Sequence, residues 1–174
     1  MGVFYTKTGD DGYTGIIGEG RVAKYDLRLE VLGSLDEANS ALGMARASAQ
    51  SEQTTATLLK VQRDLYQLMA EIATTSELGD LLKKIDQDMV LWIEGQIGYF
   101  TGLVKIPDQF IVPGDSLSGA AMDMARTTVR RAERRAVAAW RNQQPAFQAV
   151  VRASGRKASQ PGPDAPSYQH KHNL

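Results

Sequence analysis

The chain has 174 residues, 43% of them hydrophobic, and its 20 basic side chains balance 20 acidic ones. That size suits one domain with a real core, and zero net charge excludes a whole-molecule field that would draw it to nucleic acid or a membrane surface. The absence of cysteine removes disulfides, thiolate metal sites and thiol nucleophiles, and with no signal-peptide pattern and no apolar run near the ~18 residues that span a bilayer, a cytoplasmic protein without a membrane segment is expected.

The first 33 residues differ in kind from the rest. The stretch YTKTGDDGYTG from Tyr5 to Gly15 gathers glycines, hydroxyls and Lys7 without helical or convincing strand periodicity, and is predicted to be an ordered loop. Glycine lets backbone amides approach a ligand, while threonine hydroxyls and lysine donate to phosphate oxygens. It is no Walker A loop, and a plain turn-rich arm with Asp-Gly turns is the alternative. Lys24 is either a further phosphate contact or a surface cation.

Helical spacing dominates from Gly33. Ser34, Leu35, Asp36 and Glu37 resemble a capping box, and Leu35, Ala38, Leu42, Ala45 and Ala49 continue as a first helix. Leu58, Val61, Leu65, Leu68 and Ile72 predict a second helix over roughly 54–75, with a stripe wide enough for a bundle core. Ile85, Met89, Trp92, Ile93, Ile97 and Phe100 predict a third over about 81–100, weakened by Gly95 and Gly98. Such Met and aromatic residues are core by default. Pro107 and Pro113 then enforce an extended stretch, after which Asp115 or Ser116 can cap a fourth helix over about 117–140.

That fourth helix carries the most informative feature. At about 100° per residue, Ala121, Ala125, Val129, Ala132, Ala136 and Trp140 form an apolar stripe, with Arg126, Arg130 and Glu133 along its edge. The wheel predicts that these three cannot all reach open water. Guanidinium groups are costly to desolvate unless paired, and their shape suits carboxylate or phosphate oxygens. A polyanion is one guest; long arginine stems passing a core edge to solvent is the bland alternative, and Arg131 and Arg135 fit it well. Pro145 ends the helix. Residues 155–174 are rich in Gly, Pro, Ser, Lys and Gln, and are read as a tail in which His170 and His172 form no metal site.

Three blocks, YTKTGDDGYTG, GSLDEANSALG and the stretch from Phe110 to Arg135 with its FIVPG and ARTTVRRAERR elements, together resemble the PduO-type ATP:cob(I)alamin adenosyltransferases. The resemblance covers roughly residues 3–140. It implies an all-α five-helix bundle of this type with an N-terminal nucleotide-binding arm, assembled as a homotrimer with active sites between subunits. In this chain four helices are clear and the fifth is degenerate or missing, so residues 1–152 are expected to form the domain and 153–174 an atypical disordered tail.

The chemistry implied is transfer of the 5'-deoxyadenosyl group of ATP to cob(I)alamin. By similarity, Thr6, Lys7, Thr8, Gly9, Thr14, Gly15 and Lys24 hold the nucleotide, with Mg2+ screening its phosphates. Arg130, Arg131, Ala132, Glu133 and Arg134 match the nucleotide-contacting helix, and Arg130 the group that stabilises the leaving triphosphate. Arg126 and Asp36 match a pair that closes across the subunit interface, although a first-turn carboxylate also explains Asp36. Phe110 matches the aromatic on the lower face of the corrin; an ordinary core aromatic is the alternative. Two departures stand out. Asp115 replaces a second glycine, and Ser154 or Gly155 falls near an ATP-contacting asparagine of the last helix. The expected partners are ATP, cobalamin and an adenosylcobalamin-dependent recipient enzyme, with no nucleic acid or membrane. A catalytically impaired ATP- or cobalamin-binding relative and a helical nucleic-acid-binding module remain as alternatives.

Overall fold

The computed structural model describes residues 7–18, 20–74, 85–105 and 108–141, apart from the side chain of Trp140. Thr6, the expected tail with His170 and His172, Ser154, Gly155 and the expected domain boundary at 152 lie outside the described residues.

Among them the fold is four helices with a small hairpin at the arm. α1 spans Leu27–Ser48, α2 Glu52–Ile72, α3 Gln87–Leu103 and α4 Leu117–Arg141. The expected start of α1 at Ser34 is corrected by about two turns. Asp26 is the true N-cap, its carboxylate accepting the Arg28 N–H at 2.8 Å. Ser34 lies inside the helix, where its hydroxyl donates to the Glu30 carbonyl at 2.8 Å. The apolar stripe runs upstream through Val31, and Gly33 interrupts neither it nor the helix.

Ser51 caps α2 and Asp86 caps α3, accepting the Met89 N–H at 3.0 Å. Ile85 therefore precedes α3, and its N–H donates to the Glu71 carboxylate at 2.6 Å. At α4, Ser116 is the cap, since its Oγ accepts the Gly119 N–H at 3.0 Å.

α1 packs on both α2 and α4, and the face it shares with α4 is the more extensive. One core cluster joins Val31, Leu35 and Ala38 to Ile72, Ala132 and Ala139; the second joins Ala41, Leu42 and Ala45 to Leu58, Ala121 and Ala125. Alanine on both facing stripes lets α1 and α4 approach closely. The expectation that α3 contributes core is not met among the described residues. None of its residues is buried, and Leu91, Ile97, Tyr99 and Leu103 are exposed. It meets α2 through polar groups: Gln96 accepts from Gln53 and Thr57, both at 3.2 Å, and the Lys60 ammonium lies 4.2 Å from the Trp92 ring centre. Met89, Val90, Trp92 and Phe100 are partly covered, whereas Leu91, Ile93, Ile97, Tyr99 and Leu103 stay exposed among the described residues.

The arm is also more regular than expected. β1 (Tyr13–Gly15) and β2 (Arg21–Ala23) pair antiparallel, with Thr14 opposite Val22. Gly18 and Gly20 take positive φ in the connection, which glycine adopts without steric cost. The Ile17 N–H donates to the Ala73 carbonyl at 2.9 Å, stitching the hairpin to the end of α2.

Candidate active site

The loop that precedes β1 is tightly wound. Lys7 has a left-handed φ of 58°, and Gly12 one of 85°. The Asp10 and Gly12 N–H groups donate to the Lys7 and Gly9 carbonyls at 3.3 and 3.2 Å, and the Lys24 N–H closes the loop on the Gly12 carbonyl at 2.9 Å. Lys24 then folds its side chain over Gly9. A Cβ added at Gly9 would stand 3.0 Å from the Lys24 Nζ and 3.2 Å from the Tyr13 carbonyl. Lys7, Thr8, Gly9, Thr14, Gly15 and Lys24 are thus drawn into one compact structure; Thr6, named with them from sequence, lies outside the described residues.

Two organisers of this loop were not picked out from sequence. Arg21 donates from both Nη atoms to Asp11, at 2.8 and 2.7 Å. Its Nη2 also reaches the carbonyls of Thr8 at 2.5 Å and Tyr13 at 3.1 Å. The Arg21 hydrogen bonds, helped by the Tyr13 N–H, hold the Asp11 carboxyl below the usual carboxylate range, and Asp11 in turn raises Arg21. The signal available in sequence was only an acidic residue in the loop and a basic one in the following segment.

On α4 the arginines divide between two faces. Arg126, Arg130, Glu133 and Arg134 are exposed on the side turned from α1. The prediction that Arg126, Arg130 and Glu133 cannot all reach water is corrected for the single chain. The buried stripe is centred on Ala121, Ala125, Ala132 and Ala139, whereas Val129, expected within the apolar stripe, is 40% exposed. Ala132 is 2% exposed and belongs to the core. Arg131 turns the other way and donates to Glu37 of α1, and Arg135 lies 3.2 Å from Glu30.

Arg126 and Asp36 are not brought together within the chain. Arg126 pairs with Asp123 at 2.8 Å on its own helix, while Asp36 borders a shallow groove between α1 and α4 with Gly33, Ser40, Met44, Met124 and Thr128. Phe110 is fully exposed at 104%, flanked by exposed Ile111 and Val112. Among the described residues Phe110 is therefore not a core aromatic. Asp115 is likewise exposed, beside the positive-φ Gly114.

Among the described residues no three His, Cys, Asp or Glu side chains are grouped to hold a metal ion, and no helix is long and apolar enough to cross a membrane.

A helical layer with a cationic outer edge and a folded glycine-threonine arm is the class of protein this architecture defines. The family model for cobalamin adenosyltransferase matches residues 4–156. A corrinoid adenosyltransferase of Bacillus subtilis is 38% identical over 144 residues, 80% of this chain and 73% of that one. One from Mycobacterium tuberculosis is 38% identical over 138 residues, covering 78% and 72%. Among solved structures, a phenylalanine-to-alanine variant PduO-type ATP:corrinoid adenosyltransferase from Lactobacillus reuteri complexed with cobalamin and ATP superposes with a TM-score of 0.73 at 31% identity, covering 87% of this chain and 86% of that one. An arginine-to-lysine variant from the same organism, complexed with ATP, gives 0.73 at 30% identity, covering 87% of each chain. The chain belongs to the cobalamin adenosyltransferase family.

Proposed function

We propose that this protein transfers the 5'-deoxyadenosyl group of ATP to cob(I)alamin. The carrying observation is the family match over residues 4–156, together with likeness to a structure complexed with both cobalamin and ATP. In the reaction the reduced cobalt attacks the ribose C5' carbon, the cobalt–carbon bond forms, and the C5'–oxygen bond breaks to release triphosphate. Because the substrate itself is the nucleophile, the protein's work is binding, orientation and electrostatics.

The residue roles follow from the family resemblance. Thr6, Lys7, Thr8, Gly9, Thr14, Gly15 and Lys24 grip the phosphates, whose remaining charge Mg2+ would screen when bound. Arg130 stabilises the charge that develops on the departing triphosphate, supported by Glu133 and Arg134. Arg131 and Ala132 act from the same helix, one as a tie to Glu37 and the other as a close-packing residue. Phe110 sits against the lower corrin face, where an apolar ring excludes an axial ligand; its complete exposure supports that role, since nothing among the described residues packs on it.

Asp36 and Arg126 close the active site between copies in a homotrimer. Their placement on different faces of the α1–α4 pair, and the uncovered apolar residues of α3, support that assembly. The product passes to an adenosylcobalamin-dependent enzyme in the cytoplasm. A catalytically impaired ATP- or cobalamin-binding relative is the second reading, favoured by Ser154 or Gly155 falling, by spacing, near the position where the resemblance implies an ATP-contacting asparagine. Mixing the protein with ATP, magnesium and chemically reduced cobalamin, and following the adenosylcobalamin spectrum, separates the two. ATP binding without product selects the second.

A further inference from the structure

Arg21 has a densely engaged head group, with four hydrogen bonds to the arm. Its planar fork donates to both oxygens of Asp11, at 2.8 and 2.7 Å, a bidentate arrangement that gives strong directional preference. The same Nη2 reaches two carbonyls of the loop, Thr8 at 2.5 Å and Tyr13 at 3.1 Å, and the guanidinium carbon lies 5.9 Å from the Tyr13 ring centre. Asp11 returns the contact by accepting the Tyr13 N–H at 3.2 Å. One side chain on β2 thus fixes the start, the middle and the end of the segment from Thr8 to Tyr13.

The consequence falls on Lys24. It follows β2 directly, its N–H is bonded to the Gly12 carbonyl at 2.9 Å, and its ammonium packs over Gly9. Whatever fixes β2 against the loop therefore fixes where that ammonium stands. Arg21 cannot readily do the same work as a phosphate ligand. Its charge is compensated by a carboxylate in contact, so an incoming phosphate would have to displace Asp11 and leave that anion beside its own.

We propose that Arg21 and Asp11 are a positioning pair for the nucleotide arm, holding the loop and Lys24 in the geometry that receives phosphate without touching the nucleotide. The inference rests on the reading that this arm takes ATP. A neutral, preformed brace lowers the cost of ordering the loop on binding, and the field at the phosphates comes from Lys24 and the α4 arginines.

The test is a double-mutant cycle on the full chain with Asp11→Asn, Arg21→Gln and the two combined. ATP binding is measured by calorimetry, and amide hydrogen exchange is followed over residues 8–13. Each single variant weakens ATP binding by at least about threefold, and the double variant is no weaker than the worse single, because residues acting as a unit are not additive. Exchange over residues 8–13 speeds up in all three, while the KM for cobalamin stays at the wild-type value and the melting temperature falls only slightly, as for an exposed ion pair. Tighter ATP binding by Asp11→Asn would overturn the proposal, because it would make the carboxylate a mere repulsive neighbour of phosphate. Losses that multiply in the double variant would also overturn it, by making Arg21 a ligand in its own right, as would unchanged exchange. These binding readouts stand apart from turnover. A wild type that binds ATP but makes no adenosylcobalamin defeats the enzymatic reading and leaves the cycle to judge the pair, whereas a wild type that binds no ATP defeats both.

Discussion

Arg131 on α4 donates to Glu37 on α1, while Arg130, the preceding residue, faces away from that interface. Two adjacent arginines therefore answer to different parts of the molecule, and substitution should separate them. The Arg131–Glu37 pair is about half exposed, so Coulomb attraction is screened and Arg131→Ala lowers unfolding stability by less than about 1 kcal/mol. Arg130→Ala leaves urea denaturation unchanged but lowers kcat about 10²–10³-fold, the scale for removing one preorganised donor from developing charge. Equal losses of turnover in the two variants would contradict this division.

Ala132 sits among the arginines in sequence but inside the core in space. It shares a core cluster with Val31, Leu35 and Ala38 of α1. Ala132→Leu must push α4 from α1 or adopt a strained rotamer, and is expected to cost about 1–3 kcal/mol in chemical denaturation. Ala138, exposed near the same helix end, provides the control; Ala138→Leu should fall within about 0.5 kcal/mol of the wild type.

The Asp11–Arg21 contact makes a signed prediction about pH. The folded-state value of Asp11 lies below its ordinary 3.8, so the contact contributes fully above that value and is lost as pH falls through the lowered one. Arg21 is shifted upward from an already high value, so it adds no dependence in the ordinary working range. Carboxyl chemical shifts in an NMR titration should place the Asp11 midpoint below 3.8, and Arg21→Gln should return it toward that value. Loop amide protection should be flat across neutral pH.

Phe110 is exposed enough that the fold makes no use of its ring. Phe110→Ala should therefore change stability by no more than about 0.5 kcal/mol. Its cost should appear in adenosylcobalamin formation, with the KM for ATP unchanged. A fall in melting temperature that accounts for the lost turnover would return Phe110 to a packing role.

What was legible in the sequence follows what periodicity can carry. Helices with strong stripes, α2 and α4, fall close to the expected spans, because apolar spacing and the Ser51 and Ser116 caps agree. The start of α1 was misjudged because Ser34 has the chemistry of a cap, while its hydroxyl is used within the helix by Glu30. The hairpin was missed because its strands are three residues each and are secured by Ile17 and Lys24 reaching distant carbonyls, which no local pattern records. In the site, the arginine helix and the loop were visible as residue types in order. The brace between Arg21 and Asp11 was not, because it depends on the hairpin register. The wheel also placed Val129 in the apolar stripe, since it treats each helix as if fully surrounded, whereas among the described residues α4 packs most extensively on α1.

Gly9 gives the sharpest local test of the arm. A methyl group there would lie 3.0 Å from the Lys24 Nζ and 3.1 Å from its Cε, both parts of a flexible side chain, and 3.2 Å from the backbone carbonyl of Tyr13. The flexible atoms yield first. Gly9→Ala is thus expected to fold normally while displacing the ammonium from over the loop. If that ammonium meets a phosphate oxygen, losing a charged hydrogen bond of ~1.5–3 kcal/mol raises the KM for ATP about tenfold or more. Lys24→Ala should produce a similar rise, and combining the two should add little, since both remove one contact. An unchanged KM in Gly9→Ala, with Lys24→Ala impaired, would mean that Lys24 reaches its ligand from a different position than the one it holds over Gly9.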